Sequence, residues 1–113
     1  SRGLGDVYKR QVVEAPDGRP GFEDEGYLAL FGDDGIFVES NMIKLRSQNP
    51  AAYAVTQEQE VGAALQCLSR KEGIPYTMVN FEVFNRNRKW SDEDITLLTL
   101  LGHCIGDLLN YSE

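Results

Sequence analysis

The stretch that most constrains this chain is its last one. From Ser91 to Tyr111, apolar residues recur at helical spacing along two neighbouring seams: Ile95, Leu98, Gly102, Ile105 and Leu109 on one, and Leu97, Leu101, Cys104, Leu108 and Tyr111 on the other. Residues that step by three and four share one side of an α-helix, so the two seams make an apolar arc wider than a surface helix has to bury. Ser91 is placed to cap this helix, with Asp94 three residues on, and Asp92, Glu93 and Asp94 suit the positive end of the helix dipole. Such a helix needs two partners. One seam is enough to cover a sheet, and the other calls for a second helix.

The sheet is legible just upstream. Residues 61–69 and 75–84 are two strand-like runs separated by Arg70-Lys71-Glu72-Gly73-Ile74, a hairpin loop by length and composition. In the second run, Thr77, Val79, Phe81 and Val83 form a mainly apolar set, and Tyr76, Met78, Asn80, Glu82 and Phe84 a mixed one. Strand side chains alternate between faces, so one face belongs to a dry core and the other carries polar groups. The apolar parity is the natural match for Ile95, Leu98 and Ile105.

Ahead of the hairpin, Ile36-Phe37-Val38 fits a short strand, and Ser40 or Asn41 is placed to cap one helical turn through Met42, Ile43 and Leu45. Pro50 suits the first turn of a helix running to Gln59. Tyr27 to Phe31 is an apolar run of open type, closed by the turn Gly32-Asp33-Asp34-Gly35. Residues 12–26, with Pro16, Pro20 and the pairs Asp17-Gly18 and Pro20-Gly21, read as a loop. Residues 1–11 carry no initiator Met and no amphipathic period, and they read as a non-native leader, with a genuine N-terminal arm as the alternative.

The chain has 113 residues, which supports one domain, and its apolar and charged fractions are those of a folded protein. Its net charge is −7, and −9 once the leader's +2 is set aside, which argues against nucleic acid or an anionic membrane as partner. Nothing in the sequence approaches the ~18 apolar residues of a membrane-spanning helix. Two cysteines are too few for a disulfide framework and point to a reducing, cytoplasmic setting.

Catalytic and metal readings find little support. His103 and Cys104 are adjacent on a helix and point about 100° apart. Pairing Cys67 with His103 as nucleophile and base lacks a third, orienting group. One His and two scattered Cys do not supply a metal-ligand spacing. No catalytic residue, metal or cofactor is therefore expected. Arg86, Arg88 and Lys89 form the basic cluster outside the leader, and the plainer reading makes them a solvated loop, with Arg88 near the acidic first turn of the helix. Trp90, just before the cap, suits a hydrophobic staple. A binding reading does better. Gln66, Asn80 and Glu82 set amide and carboxylate groups on strands near Tyr76, Met78 and Phe84, and an apolar concavity with a few polar groups is the usual small-molecule pocket. The plainer alternative is a solvated sheet face.

Residues 26–110 resemble a GAF domain, and more closely the GAF-like modules that precede bacterial diguanylate cyclase domains. The matching pieces are Leu30-Phe31 with Asp34-Gly35-Ile36-Phe37, Ala64-Leu65-Gln66-Cys67, Val79-Asn80-Phe81-Glu82, Asn87-Arg88-Lys89-Trp90, and the helix that follows. Thr77 and Asn80 stand where that pattern usually has glycines, which would narrow or reshape the family's pocket. The resemblance implies that residues 27–113 are the C-terminal portion of such a module, without its first helix and first two strands. It implies a sensory function, with a small ligand at Gln66, Tyr76, Met78, Asn80 and Glu82 and an effector domain in the same full-length chain.

The sequence thus predicts an α+β fold, an antiparallel sheet with the long terminal helix on one face and short helices and loops on the other. It predicts that the seam of Leu97, Leu101, Cys104 and Leu108 pairs with a second helix, either the first helix of the module that the resemblance implies or the same helix of a second copy. A homodimer is the expectation for these residues. Two functions compete: a ligand-binding sensor, and an interaction module with no ligand. A cavity around Asn80 and Glu82 favours the first, and a filled sheet face the second.

Overall fold

A computed structural model of the chain describes residues 9–14 and 25–111. Four antiparallel strands, β1 (Lys9–Glu14), β2 (Ile36–Glu39), β3 (Val61–Lys71) and β4 (Ile74–Phe84), form a sheet in the order β1-β4-β3-β2. One short helix, α1 (Glu25–Leu28), precedes β2. A single 3-10 turn (Met42–Lys44), α2 (Leu45–Gln48) and α3 (Pro50–Glu58) lie between β2 and β3. The chain ends in α4 (Asp92–Tyr111). This is the α+β arrangement expected from the sequence.

Strand alternation decides what each face of the sheet does. Ala63, Leu65 and Cys67 of β3 and Val79, Phe81 and Val83 of β4 are buried in one cluster with Trp90 and Leu98, and Ile95, Leu101 and Ile105 of α4 pack against it. The opposite face carries Phe37, Ala64 and Val61, covered by Met42, Leu45, Ala52 and Tyr53 from the short helices. Helix α4 lies close to the sheet because it turns glycines toward it. A Cβ on Gly102 would fall 2.5 Å from Cys67 Sγ, and one on Gly106 would collide with Ser69.

Local chemistry sets the helix ends. Asn41 Oδ1 accepts from Ile43 N–H at 3.2 Å, and Asn49 Oδ1, on the residue that caps α3, accepts from Ala52 N–H at 3.1 Å, with Pro50 in the first turn. At α4, Ser91 Oγ accepts from Asp94 N–H at 3.0 Å and Asp94 Oδ2 accepts from Ser91 N–H at 3.2 Å, a reciprocal capping box.

Three expectations are corrected. Residues 12–14, read as loop, and residues 9–11, set apart with the leader, form the two halves of β1, where Lys9 pairs with Glu82 and Glu14 with Thr77. An edge strand needs backbone groups more than an apolar pattern, which is why its sequence gives no sign of it. The remaining residues of the leader, 1–8, and of the loop, 15–24, lie outside the described residues. The hairpin connection is two residues, not five. Glu72 and Gly73 have φ of 57° and 81°, the positive values that a tight two-residue turn requires, and the strands extend up to them. Arg88, read as part of a solvated loop near the acidic first turn of the helix, does meet that turn at Asp94, but it is buried there.

Candidate functional site

Two surfaces emerge from the residues singled out in the sequence. The first is the sheet face opposite α4. Gln66 pairs with Asn80 across β3 and β4, Ala64 with Glu82, and Leu68 with Met78, so Gln66, Met78, Asn80 and Glu82 share one face. All four are buried. The Tyr27 hydroxyl, carried by α1, donates to Gln66 Oε1 and lies 3.6 Å from Met78 Sδ. Burial raises the Tyr27 phenol well above its ordinary value; the Gln66 hydrogen bond opposes this and the Glu82 carboxylate reinforces it. Asn80 Oδ1 is buried with no hydrogen-bond partner among the described residues. This polar layer is roofed by Tyr27.

Tyr76 stands apart from the other four. Ser69 pairs with Thr77 and Arg70 with Pro75, so the register skips Tyr76 and places it in a bulge. Strand parity therefore does not tie it to the face of Asn80. Lys71 Nζ lies 5.0 Å from its ring centroid, near the hairpin tip.

The second surface is the outer side of α4. Leu97 is 52% exposed, Leu108 71%, and Cys104 is exposed, while Leu101 turns partly inward and packs against the core. Sequence reasoning missed Leu100, which is 60% exposed. It stands three residues after Leu97 and four before Cys104, so it continues the second seam as well as Leu101 does, and the ~100° repeat places it beside Cys104 and Tyr111. Tyr111, at 89%, completes the strip. Leu97, Leu100, Cys104, Leu108 and Tyr111 thus form a contiguous apolar arc along the twenty-residue helix.

The thiols differ sharply. Cys67 is buried, with Sγ 3.8 Å from the Leu98 carbonyl; burial, with a smaller push from the Asp34 carboxylate, raises it to about 12. Such a thiol is a poor nucleophile at neutral pH. His103 is half-buried against the Gly32–Gly35 turn, on a different side of α4 from Cys104. Among the described residues no group of three or more His, Cys, Asp or Glu is arranged to hold a metal ion, and no helix is long and apolar enough to cross a membrane.

No protein-family model, curated protein or solved structure matches the chain. The GAF resemblance rests on the motifs quoted above.

Proposed function

We propose that this chain is an interaction module that pairs with a second copy of itself through the outer face of α4. The carrying observation is the exposed strip from Leu97 to Tyr111 on a helix whose other side is already committed to the sheet. Contiguous apolar strips of this kind mark partner surfaces.

A second copy fits the strip because the strip is symmetric along the helix. Leu97 and Tyr111 stand equally far from Cys104 on either side, and so do Leu100 and Leu108. Two copies laid antiparallel across a twofold axis at Cys104 bring Leu97 against Tyr111, Leu100 against Leu108, and Cys104 against its own copy. That is the self-complementarity an isologous interface demands. Charge favours the same orientation. Glu93 and Asp107 border the strip, and a parallel pair would set each against its own copy, whereas the antiparallel pair separates them and opposes the helix dipoles.

The buried polar layer supports the interaction reading over the sensor. Gln66, Asn80 and Glu82 are buried, and Gln66 accepts a hydrogen bond from Tyr27, so this face offers less open surface than a ligand site would use. The motif resemblance adds a setting, that of an accessory module attached to an effector domain in a longer bacterial chain. Two free thiols, one of them exposed, support a reducing, cytoplasmic compartment.

Sedimentation velocity over a concentration series tests the proposal. The expected result is a reversible monomer–dimer equilibrium, with a disulfide-linked dimer through Cys104 under mild oxidation and none in Cys104→Ser. In the Cys104→Ser background, Leu97→Cys combined with Tyr111→Cys should cross-link, and Leu97→Cys alone should not. A single monomeric species at the highest soluble concentration rejects the proposal.

A further inference from the structure

Away from α4, where β3 begins and β4 ends, the structure holds an open cleft of about 470 Å³. We propose that this cleft binds a small uncharged polyhydroxylated molecule, of the size of a mono- or disaccharide. Its volume falls in the ~300–1,000 Å³ range of small-molecule sites.

The lining decides the chemistry. Asn41, Gln57, Asn85 and Asn87, four residues with carboxamide side chains, line it together with Tyr53. Each carboxamide offers a donor and an acceptor side by side, the complement of two neighbouring hydroxyls. Asn41 commits its carbonyl oxygen to Ile43 N–H, which leaves its NH₂ group as a donor. The charged groups of the lining are one carboxylate, Glu60, and one guanidinium, Arg86. They balance, so the cleft selects neither a cation nor an anion, in a chain whose overall −7 would itself repel anions. Ile43, 53% exposed, supplies an apolar surface for the C–H side of such a ligand, over the buried Met42 and Val61.

The shape of the cleft is built in. Glu60 and Asn85 hold φ of 61° and 62°, the left-handed region that side chains other than glycine's avoid. Asn85 N–H donates to the Glu60 carbonyl at 2.9 Å and locks the two together. Next to them Gly62 is the extra residue of a β-bulge, and the Arg86 carbonyl sits where a Cβ would be. Two strained residues and a required glycine thus fix one wall, which limits the reorganisation a ligand would have to offset.

Titration of the ¹⁵N-labelled full chain with glucose, galactose, maltose and myo-inositol tests this, with glucose 6-phosphate and glutamate as charged comparators. At least one neutral probe should shift the amides of Asn41, Gln57 and residues 85–87 saturably. Replacing the exposed Gln57 and Asn87 together by Ala should weaken that probe about tenfold, the loss of two hydrogen bonds, with the rest of the spectrum unchanged. The proposal is overturned if none of the four neutral probes acts there, if only the charged comparators do, or if the shifts survive the double substitution. The α4 strip takes no part, so Leu97→Glu with Leu108→Glu should leave the titration unaltered.

Discussion

Arg88 Nη2 stands 2.9 Å from Asp94 Oδ2, with the two side chains only 7% and 10% exposed, and the Arg88 guanidinium lies 4.8 Å from the Trp90 ring centroid. Through this pair the loop after β4 is fastened to the first turn of α4. Arg88 N–H also donates to the Ser40 carbonyl and Trp90 Nε1–H to the Glu39 carbonyl, which ties the same loop to the end of β2. Burial works against ionisation of Asp94, but hydrogen bonds from Arg88 and Ser91 outweigh it and hold the carboxyl below its ordinary value.

Arg88→Ala should destabilise the fold by ~3–5 kcal/mol, because removing one member of a buried pair strands the other charge. The pH dependence follows from the lowered Asp94 value. Its contribution is full above the unfolded carboxyl value of about 3.9 and is lost as pH falls through the folded one. Asp94→Asn should flatten the acid limb of a stability–pH curve measured by urea unfolding; an unchanged limb would count against the pairing.

At Gly102 the sign of the change is the test. On an exposed helix face Gly→Ala would stabilise by up to ~1 kcal/mol. Here the new Cβ would fall 2.5 Å from Cys67 Sγ and 2.7 Å from Cys67 Cβ, so Gly102→Ala should instead cost ~1–3 kcal/mol. Thermal unfolding settles which effect wins.

Phe81 is buried beneath α4 and Asn80 lies on the opposite face. Phe81→Ala should cost ~3–5 kcal/mol, the range for a buried aromatic. Asn80→Ala should cost much less, since its side-chain oxygen gains no hydrogen bond from the described residues. Equal losses by denaturant titration would reject this division of faces.

Thiol chemistry should separate the two cysteines. At pH 8 a disulfide reagent should modify Cys104 in the native monomer and leave Cys67 unmodified until the protein unfolds. The Cys67 value is raised in the fold, so its contribution to stability is complete below about 8.5 and drains away as pH rises toward 12. Cys67→Ala should reduce the alkaline slope, although it also leaves a small cavity.

Leu97→Glu with Leu108→Glu should give a monomer whose circular dichroism matches the parent's and whose melting temperature, unlike the parent's, does not change with concentration. Both side chains are more than half exposed, so folding does not depend on them. Leu101 is unsuited to this experiment because it packs against the core.

The sequence carried the parts of the fold that obey a period. The alternation from Thr77 to Val83 and the three-and-four stepping from Ile95 to Leu109 identify the two surfaces that meet in the core. What it hid depends on partners distant in the chain or on breaks in the period. Strand β1 is recruited by backbone pairing, and its six residues, three of them charged, have no apolar rhythm. The bulge at Tyr76 interrupts the alternation that linked it to Asn80. The approach of Arg88 to the acidic first turn is legible, but not that the pair it forms with Asp94 is buried. The cleft beside Asn85 draws on four separated segments, and no local motif announces it.

The strand order has a consequence for how the chain folds. In β1-β4-β3-β2 the central pair is the one closed by a two-residue turn, so its ladder can form at almost no loop-closure cost. Each edge strand pairs across a longer connection, β2 through the short helices and β1 across most of the chain. Docking β1 caps the outer side of β4, a row of backbone donors and acceptors that otherwise invites a strand from another molecule. A chain deprived of residues 9–14 would keep its core and both cysteines, yet present the eleven-residue β4 as its edge in place of the six-residue β1.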